Sequence, residues 1–257
     1  MKIATWNING LRARMDYILL WLRNRKPDVV GFQELKMTDE AFPSEVFEAE
    51  GYQVAVHGQK AWNGVAILTK SPAQIEQKGL PGQDDLGSRL ITVSVEGLSF
   101  TTVYCPNGKS VEHDDYARKL AWFDALEEHM RGVVREHPGA ILCGDFNICP
   151  RALDSWDETA HTDQIFHTQA ERTRMQQIYD LGLEDVYRSH FPDNSAFSWW
   201  DYRAGSFQRN HGLRIDFLLA SAAAAARVSS VEIDRDYRKK KDGLTASDHA
   251  PVIAVLD

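Results

Sequence analysis

The stretch from the N-terminus to Glu34 constrains the fold more than any other. Residues 2–6 alternate weakly between apolar and polar side chains and read as a strand, which Asn7, Asn9 and Gly10 bring to an end. Residues 11–26 carry Leu11, Ile18, Leu19 and Leu22 at helical spacing, with Arg12, Arg14, Arg23 and Arg25 on the opposite face. Pro27 and Asp28 stop that helix, and Val29, Val30, Gly31 and Phe32 form a second buried strand. Two strands joined through a helix of this length pair as parallel neighbours.

Strands dominate downstream. Residues 52–57, 64–69 and 75–78 read as strands, and residues 90–104 as a hairpin about Glu96-Gly97. A short helix is expected over 42–51 and a long amphipathic one over 114–137. A third helix spans 171–181 and ends at Gly182. Residues 183–191 are apolar but irregular, and Ala222 to Ala226 is a helical run. Residues 196–202, 213–219, 228–233 and 251–256 are the remaining strands. No repeat, linker or composition break divides residues 1–257, so one domain is expected. Its class is α/β: two packed sheets with helices outside.

Composition narrows the setting. With 43% hydrophobic and 26% charged residues, the chain can build a large core. No run approaches the roughly 18 apolar residues of a membrane span. MKIATWNING opens directly as a strand, without a signal-peptide layout. Cys105, Cys143 and Cys149 are odd in number and form no CxxC, which indicates neither a disulfide framework nor a zinc site. Buried thiols in a reducing cytoplasm are expected. The net charge of −8 argues mildly against a polyanionic ligand. A metal-dependent nuclease, however, gathers carboxylates that count in that total.

Polar clusters sit where the expected strands end: Asn7 with Asn9, Glu34, Asp145 with Asn147, Asp216, and Ser247-Asp248-His249. In Gly144-Asp145-Phe146-Asn147 the acid and the amide are two residues apart and face one side of extended backbone, with Phe146 on the other. Carboxylate and amide oxygens are the hard ligands that Mg²⁺ prefers. The plainer reading of each cluster is a turn, an Asx cap or a solvated acid. Asp216 resists it, because it lies inside an apolar strand and a buried carboxylate needs a partner. A histidine, His249, is the natural one, since such a pair orients and charges an imidazole. Tyr104 ends its strand beside Asn107, and its phenol can donate to a phosphate or simply lie half-buried. Of Trp199 and Trp200 only one can face the site; the other packs in the core.

WNINGLRAR, FQELK, VYCPNG, GDFNI, FSWWDYR, GLRIDFLLAS and SDHAPV, in this order from residue 3 to residue 252, resemble the exonuclease III family of DNA-repair nucleases. That family belongs to the endonuclease/exonuclease/phosphatase superfamily. The resemblance implies a four-layer α/β sandwich of two mixed sheets flanked by helices. It implies Mg²⁺- or Mn²⁺-dependent hydrolysis of phosphodiesters in double-stranded DNA, at abasic sites or 3′ ends, by a chain expected to be monomeric. Carried over residue by residue, the metal ligands are drawn from Asn7, Glu34, Asp145, Asn147, Asp248 and His249. Tyr104, Asp145, Asn147, Asp216 and His249 are the catalytic set. Asn107 contacts the substrate, and Trp199, Leu213 and Ile215 form the pocket for an abasic sugar.

Residues 151–170 lack periodicity and are expected to form a loop, with one turn of helix, bordering the DNA groove. A bulky side chain there, Phe166 or His167, would block continuous duplex and favour 3′ ends. The basic run Arg238-Lys239-Lys240-Lys241 is either a solvated loop or a grip on phosphates. Two other readings compete: a lipid, sugar or RNA phosphatase of the same superfamily, and a non-catalytic binding protein.

Overall fold

The computed structural model describes all 257 residues. The chain begins β1 (Lys2–Asn7), α1 (Leu11–Arg25), β2 (Val29–Gln33), α2 (Ser44–Ala49), β3 (Gln53–His57), β4 (Val65–Thr69) and β5 (Gln74–Lys78). The hairpin β6 (Leu90–Val95) and β7 (Leu98–Tyr104) follows, then α3 (Asp114–Glu136), β8 (Ala140–Asp145), α4 (Glu158–His161) and α5 (Gln169–Asp180). The last part contains β9 (Leu183–Asp185), α6 (Val186–His190), α7 (Ser206–Arg209), β10 (Asp216–Ser221), α8 (Ala222–Ala225), β11 (Val228–Ile233) and β12 (Val252–Leu256).

The strands form two six-stranded sheets, in the orders β11-β12-β1-β2-β4-β3 and β5-β6-β7-β8-β10-β9. Each sheet is mixed and holds one parallel pair: β1 with β2 across α1, and β7 with β8 across α3. The helices joining those pairs cover the outer faces. Leu11, Ile18, Trp21 and Leu22 of α1 pack on Trp6, Val30 and Phe32 of the first sheet. Trp122, Phe123, Leu126 and Met130 of α3 pack on Leu142, Phe217 and Leu219 of the second. Between the sheets lies a third apolar layer with Ile3, Val29, Ile67, Val93, Phe100, Cys143 and Leu218. Alternation of side chains along each strand produces this division, since successive residues face opposite layers. The four-layer α/β sandwich expected from the sequence is therefore present.

Four local readings need correction. Residues 196–202 are not a strand: Trp199 makes a single bridge to Leu213 on one side and to His249 on the other. One residue serves as the rung for two neighbours, so no ladder develops. Leu213 to Ile215 likewise precede β10, which starts only at Asp216. Residues 183–191 are ordered as β9 and α6, because Asp185 caps the helix by accepting from Arg188 N at 3.1 Å. The basic run is neither solvated throughout nor a free grip: Arg238 is buried and donates to the Asp248 and Trp200 carbonyls. Lys239 and Lys241 pair with Asp236.

Candidate active site

Both sheets contribute to one end of the sandwich. Asn7 ends β1, Tyr104 ends β7, Asp145 ends β8, and Asp216 starts β10 antiparallel to β8, directly opposite Asp145. Glu34 follows β2 with φ 56°, and Asn147 follows β8 with φ 51°. Left-handed backbone at non-glycine residues is uncommon, and here it turns both side chains back over the strand ends. Ser247 Oγ donates to the Asn7 carbonyl at 2.7 Å, and Trp6 Nε1 donates to the His249 carbonyl at 3.0 Å. These two bonds fasten the loop carrying Asp248 and His249 to β1.

The side chains meet in a chain of contacts. Asn7 Nδ2 donates to Glu34 Oε1 at 3.0 Å and to Asp145 Oδ2 at 2.9 Å. Asp145 Oδ1 accepts from Asn147 N at 3.0 Å, and Asn147 Nδ2 donates to the Cys105 carbonyl at 3.0 Å. His249 Nδ1 donates to Asp216 Oδ2 at 2.8 Å, and its Nε2 faces Asp145 Oδ2 at 3.8 Å. Asp248 lies at the margin, accepting from Asn9 Nδ2 at 2.8 Å and from Trp199 Nε1 at 3.1 Å. Arg89 lies over the Tyr104 ring, its guanidinium carbon 5.0 Å from the centroid. Asn107 is exposed and its Oδ1 accepts from Lys109 N at 3.0 Å.

Electrostatics follow from burial. The Asp145 carboxyl is pushed up to about 7 by burial and by Asp216 and Glu34, against the pull of His249 and Asn7. His249 is buried, yet the carboxylates of Asp216, Asp145 and Asp248 raise it to about 10, so it stands as an imidazolium. Burial works against the Glu34 carboxylate, but the Asn7 amide and Lys36 hold it below the usual range. Asp248 is likewise lowered against burial by His249, Trp199 and Asn9. Burial, then Glu34 and Asp145, lifts the Tyr104 phenol well above its ordinary value, so it remains a donor. The donor set suits a hard divalent cation: Asn7 Nδ2 brings the Glu34 and Asp145 carboxylates together, and burial disfavours the charge on Asp145. Asp145, Asp216 and His249 form a compact group whose potential ligand atoms lie within 4.8 Å of one another. Two of its members are already committed to each other as an ion pair.

Beside this group, Leu213, Ile215 and Cys149 form a small apolar cluster against which Trp199 and Phe166 pack. Trp200 is fully buried, so the adjacent tryptophans divide between pocket and core. His167 is buried with Nε2 3.0 Å from Ser155 Oγ. Sequence reasoning missed Ser198, whose Oγ donates to Asp216 Oδ2 at 2.6 Å and accepts from the Ile215 and Asp216 amides. It also missed Asn9 as a partner of Asp248, and Lys36, which lies 2.9 Å from Glu34 and donates to Asn9 Oδ1 at 2.6 Å. All three lie inside the quoted motifs WNINGLRAR, FQELK and FSWWDYR, but nothing in the sequence gave their partners.

The endonuclease/exonuclease/phosphatase family model matches residues 4–249. Exodeoxyribonuclease III of Haemophilus influenzae is 38% identical over 267 aligned positions, covering 99% of both chains. A Neisseria 3′ phosphatase, solved with a product DNA hairpin, superimposes with a TM-score of 0.96 at 38% identity, covering 100% of this chain and 99% of its own. An AP endonuclease from Archaeoglobus fulgidus superimposes with a TM-score of 0.95 at 31% identity, covering 100% and 99%.

Proposed function

This chain belongs to the endonuclease/exonuclease/phosphatase family, and from that premise we propose how its candidate site works. The protein is a DNA-repair nuclease, a metal-dependent hydrolase of the exodeoxyribonuclease III kind. The proposal concerns the finer points: which residues act, which ion serves, and which ends of DNA are cut.

Glu34 and Asp145 would hold the metal through carboxylate oxygens, oriented by Asn7 Nδ2, which donates to both, and Mg²⁺ fits oxygen ligands of this kind, with Mn²⁺ as substitute. The bound ion supplies positive charge against the phosphate oxygens. Asp145, oriented by the Asn147 amide and facing His249 Nε2, takes the proton of the attacking water. His249, fixed by Asp216, presents imidazolium charge to the phosphate and has no lone pair to spare for a metal. Tyr104, and the N–H of Asn147 Nδ2 not used on the Cys105 carbonyl, donate to phosphate oxygens. Asp248 orients Asn9 and Trp199, and Asn107 meets the flanking backbone. Trp199, Leu213 and Ile215 receive the sugar.

Phe166 carries the choice of substrate. It packs against the same small cluster as Leu213 and Ile215. We infer that 3′ ends of duplex DNA, including 3′-phosphates, are processed faster than internal abasic sites. The similar Neisseria enzyme, described as a 3′ phosphatase, supports that order. We also propose that the chain works as one monomeric domain, since both sheets supply the site. Three free, buried thiols accord with the cytoplasm.

Two labelled duplexes test this, one with a central abasic analogue and one with a recessed 3′-phosphate end, each with Mg²⁺ or EDTA. Metal-dependent processing of the 3′ end in preference to the abasic site is expected. Equal rates on both would remove the role given to Phe166, and inactivity on both would revive the phosphatase and binding-protein readings.

A further inference from the structure

A buried ion pair lies behind the phosphate face, outside the chemistry described so far. Lys119 of α3 and Glu171 of α5 are both fully buried, with Nζ and Oε1 2.5 Å apart. Such side chains are rarely fully buried, and exchanging a buried pair for apolar residues is often neutral or stabilising. Stability alone is therefore a weak reason for its presence.

The partners of the pair suggest another reason. Lys119 Nζ also donates to the Asn147 carbonyl at 2.7 Å and the Asn107 carbonyl at 3.3 Å. The first of these bonds anchors the left-handed turn that aims Asn147. Glu171 Oε1 accepts from Phe166 N at 3.1 Å, and its Oε2 accepts from Thr168 N and Oγ1. Phe166 is itself left-handed, with φ 75°, and its carbonyl accepts from Cys149 N at 2.8 Å. The Lys119 ammonium stands 4.8 Å from the Phe166 ring centroid. Three loops that face the substrate from different parts of the chain thus converge on two side chains.

We propose that Lys119 and Glu171 are positioning residues that hold the phosphate and sugar subsites in register. Lys119 fixes the turn carrying Asn147 and the loop after Tyr104; Glu171 fixes Phe166 at the pocket. Neither touches substrate. The inference rests on the nuclease reading above.

The test compares the parent chain with a Lys119→Met/Glu171→Leu double variant, which removes both charges together. Single-turnover rates are measured on the two duplexes, alongside duplex Kd in chelator and Tm. Tm should fall, because the Phe166 and Thr168 amides and the Asn147 carbonyl lose a partner, but the chain should stay folded at the assay temperature with duplex Kd near the parent's, while the rate falls roughly 10²-fold and the preference between the duplexes changes. A folded double variant that cleaves at the parent rate overturns the proposal. Lys119→Arg is the second variant: it keeps the charge pair but cannot reach both carbonyls in the same geometry. The same loss of rate at an unchanged Tm is expected, and a parental rate there also overturns the idea. Inactivity of the parent itself on both duplexes would instead refute the nuclease reading, and this inference with it.

Discussion

His249 lies between two carboxylates, donating to Asp216 at 2.8 Å and facing Asp145 at 3.8 Å. Its raised pKa makes the folded metal-free chain hold a proton that the unfolded chain releases above its ordinary value of about 6.5. The contribution is therefore fully present below that value and is lost as pH rises through about 10. Asp145, raised to about 7 in the fold, is largely ionised in both states only from about pH 8, so stability between about pH 8 and 8.5 reports mainly His249. Urea unfolding of the metal-free protein should show stability falling with pH across that window, and His249→Gln should flatten the slope. An equal slope in the variant would mean that the histidine is not charged in the fold. This pair was legible in the sequence, because an acid inside an apolar strand requires a partner. Ser198, which completes the pair by donating to Asp216, was not, because a hydroxyl's partner is set by which strands become neighbours.

At the scale of elements, the loop after β8 is held by ion pairs rather than by regular structure. Asp154 Oδ1 accepts from Arg188 Nη2 at 2.6 Å and from Arg214 Nε at 2.7 Å, all three being buried. The Arg214 amide also donates to the Asp154 carbonyl, and Ser155 bridges to Leu213 of the pocket. Asp154→Ala would leave two guanidinium groups without this partner and should cost about 3–5 kcal/mol in urea unfolding. A loss below about 1 kcal/mol would show that the network contributes little. The absence of periodicity in residues 151–170 did mark a loop, but nothing there pointed to its anchor on Arg188 of α6 and on Arg214, just before β10. The tryptophan segment was misread for a related reason: alternation suggests a strand, whereas Trp199 bridges two different neighbours once each.

The whole molecule depends on the close approach of its two sheets. A Cβ on Gly31 of β2 would lie 2.5 Å from Thr102 Oγ1 of β7. Gln33 Nε2 crosses the same interface, donating to Thr5 Oγ1 at 2.9 Å and Thr102 Oγ1 at 2.7 Å. Gly31→Ala should therefore destabilise by about 1–3 kcal/mol, the usual cost of overpacking. The Thr102 Cβ would lie only 2.6 Å away as well, so Gly31→Ala should cost less in a Thr102→Gly background than in the parent, and an equal cost would place the strain elsewhere. The parallel pairing of β1 and β2 was readable from the helix between them. The placement of β10 beside β8 was not, because that contact joins residues far apart in the chain. This pairing sets Asp216 opposite Asp145 and so completes the site. The most direct test of the account is single-turnover DNA cleavage as a function of Mg²⁺ concentration, for the parent and for Glu34→Gln. The parent should be inactive in chelator and saturate with Mg²⁺, and the variant should need at least about tenfold more metal for half-maximal rate. Cleavage that persists in chelator, or an unchanged metal requirement in the variant, would contradict a metal held by Glu34.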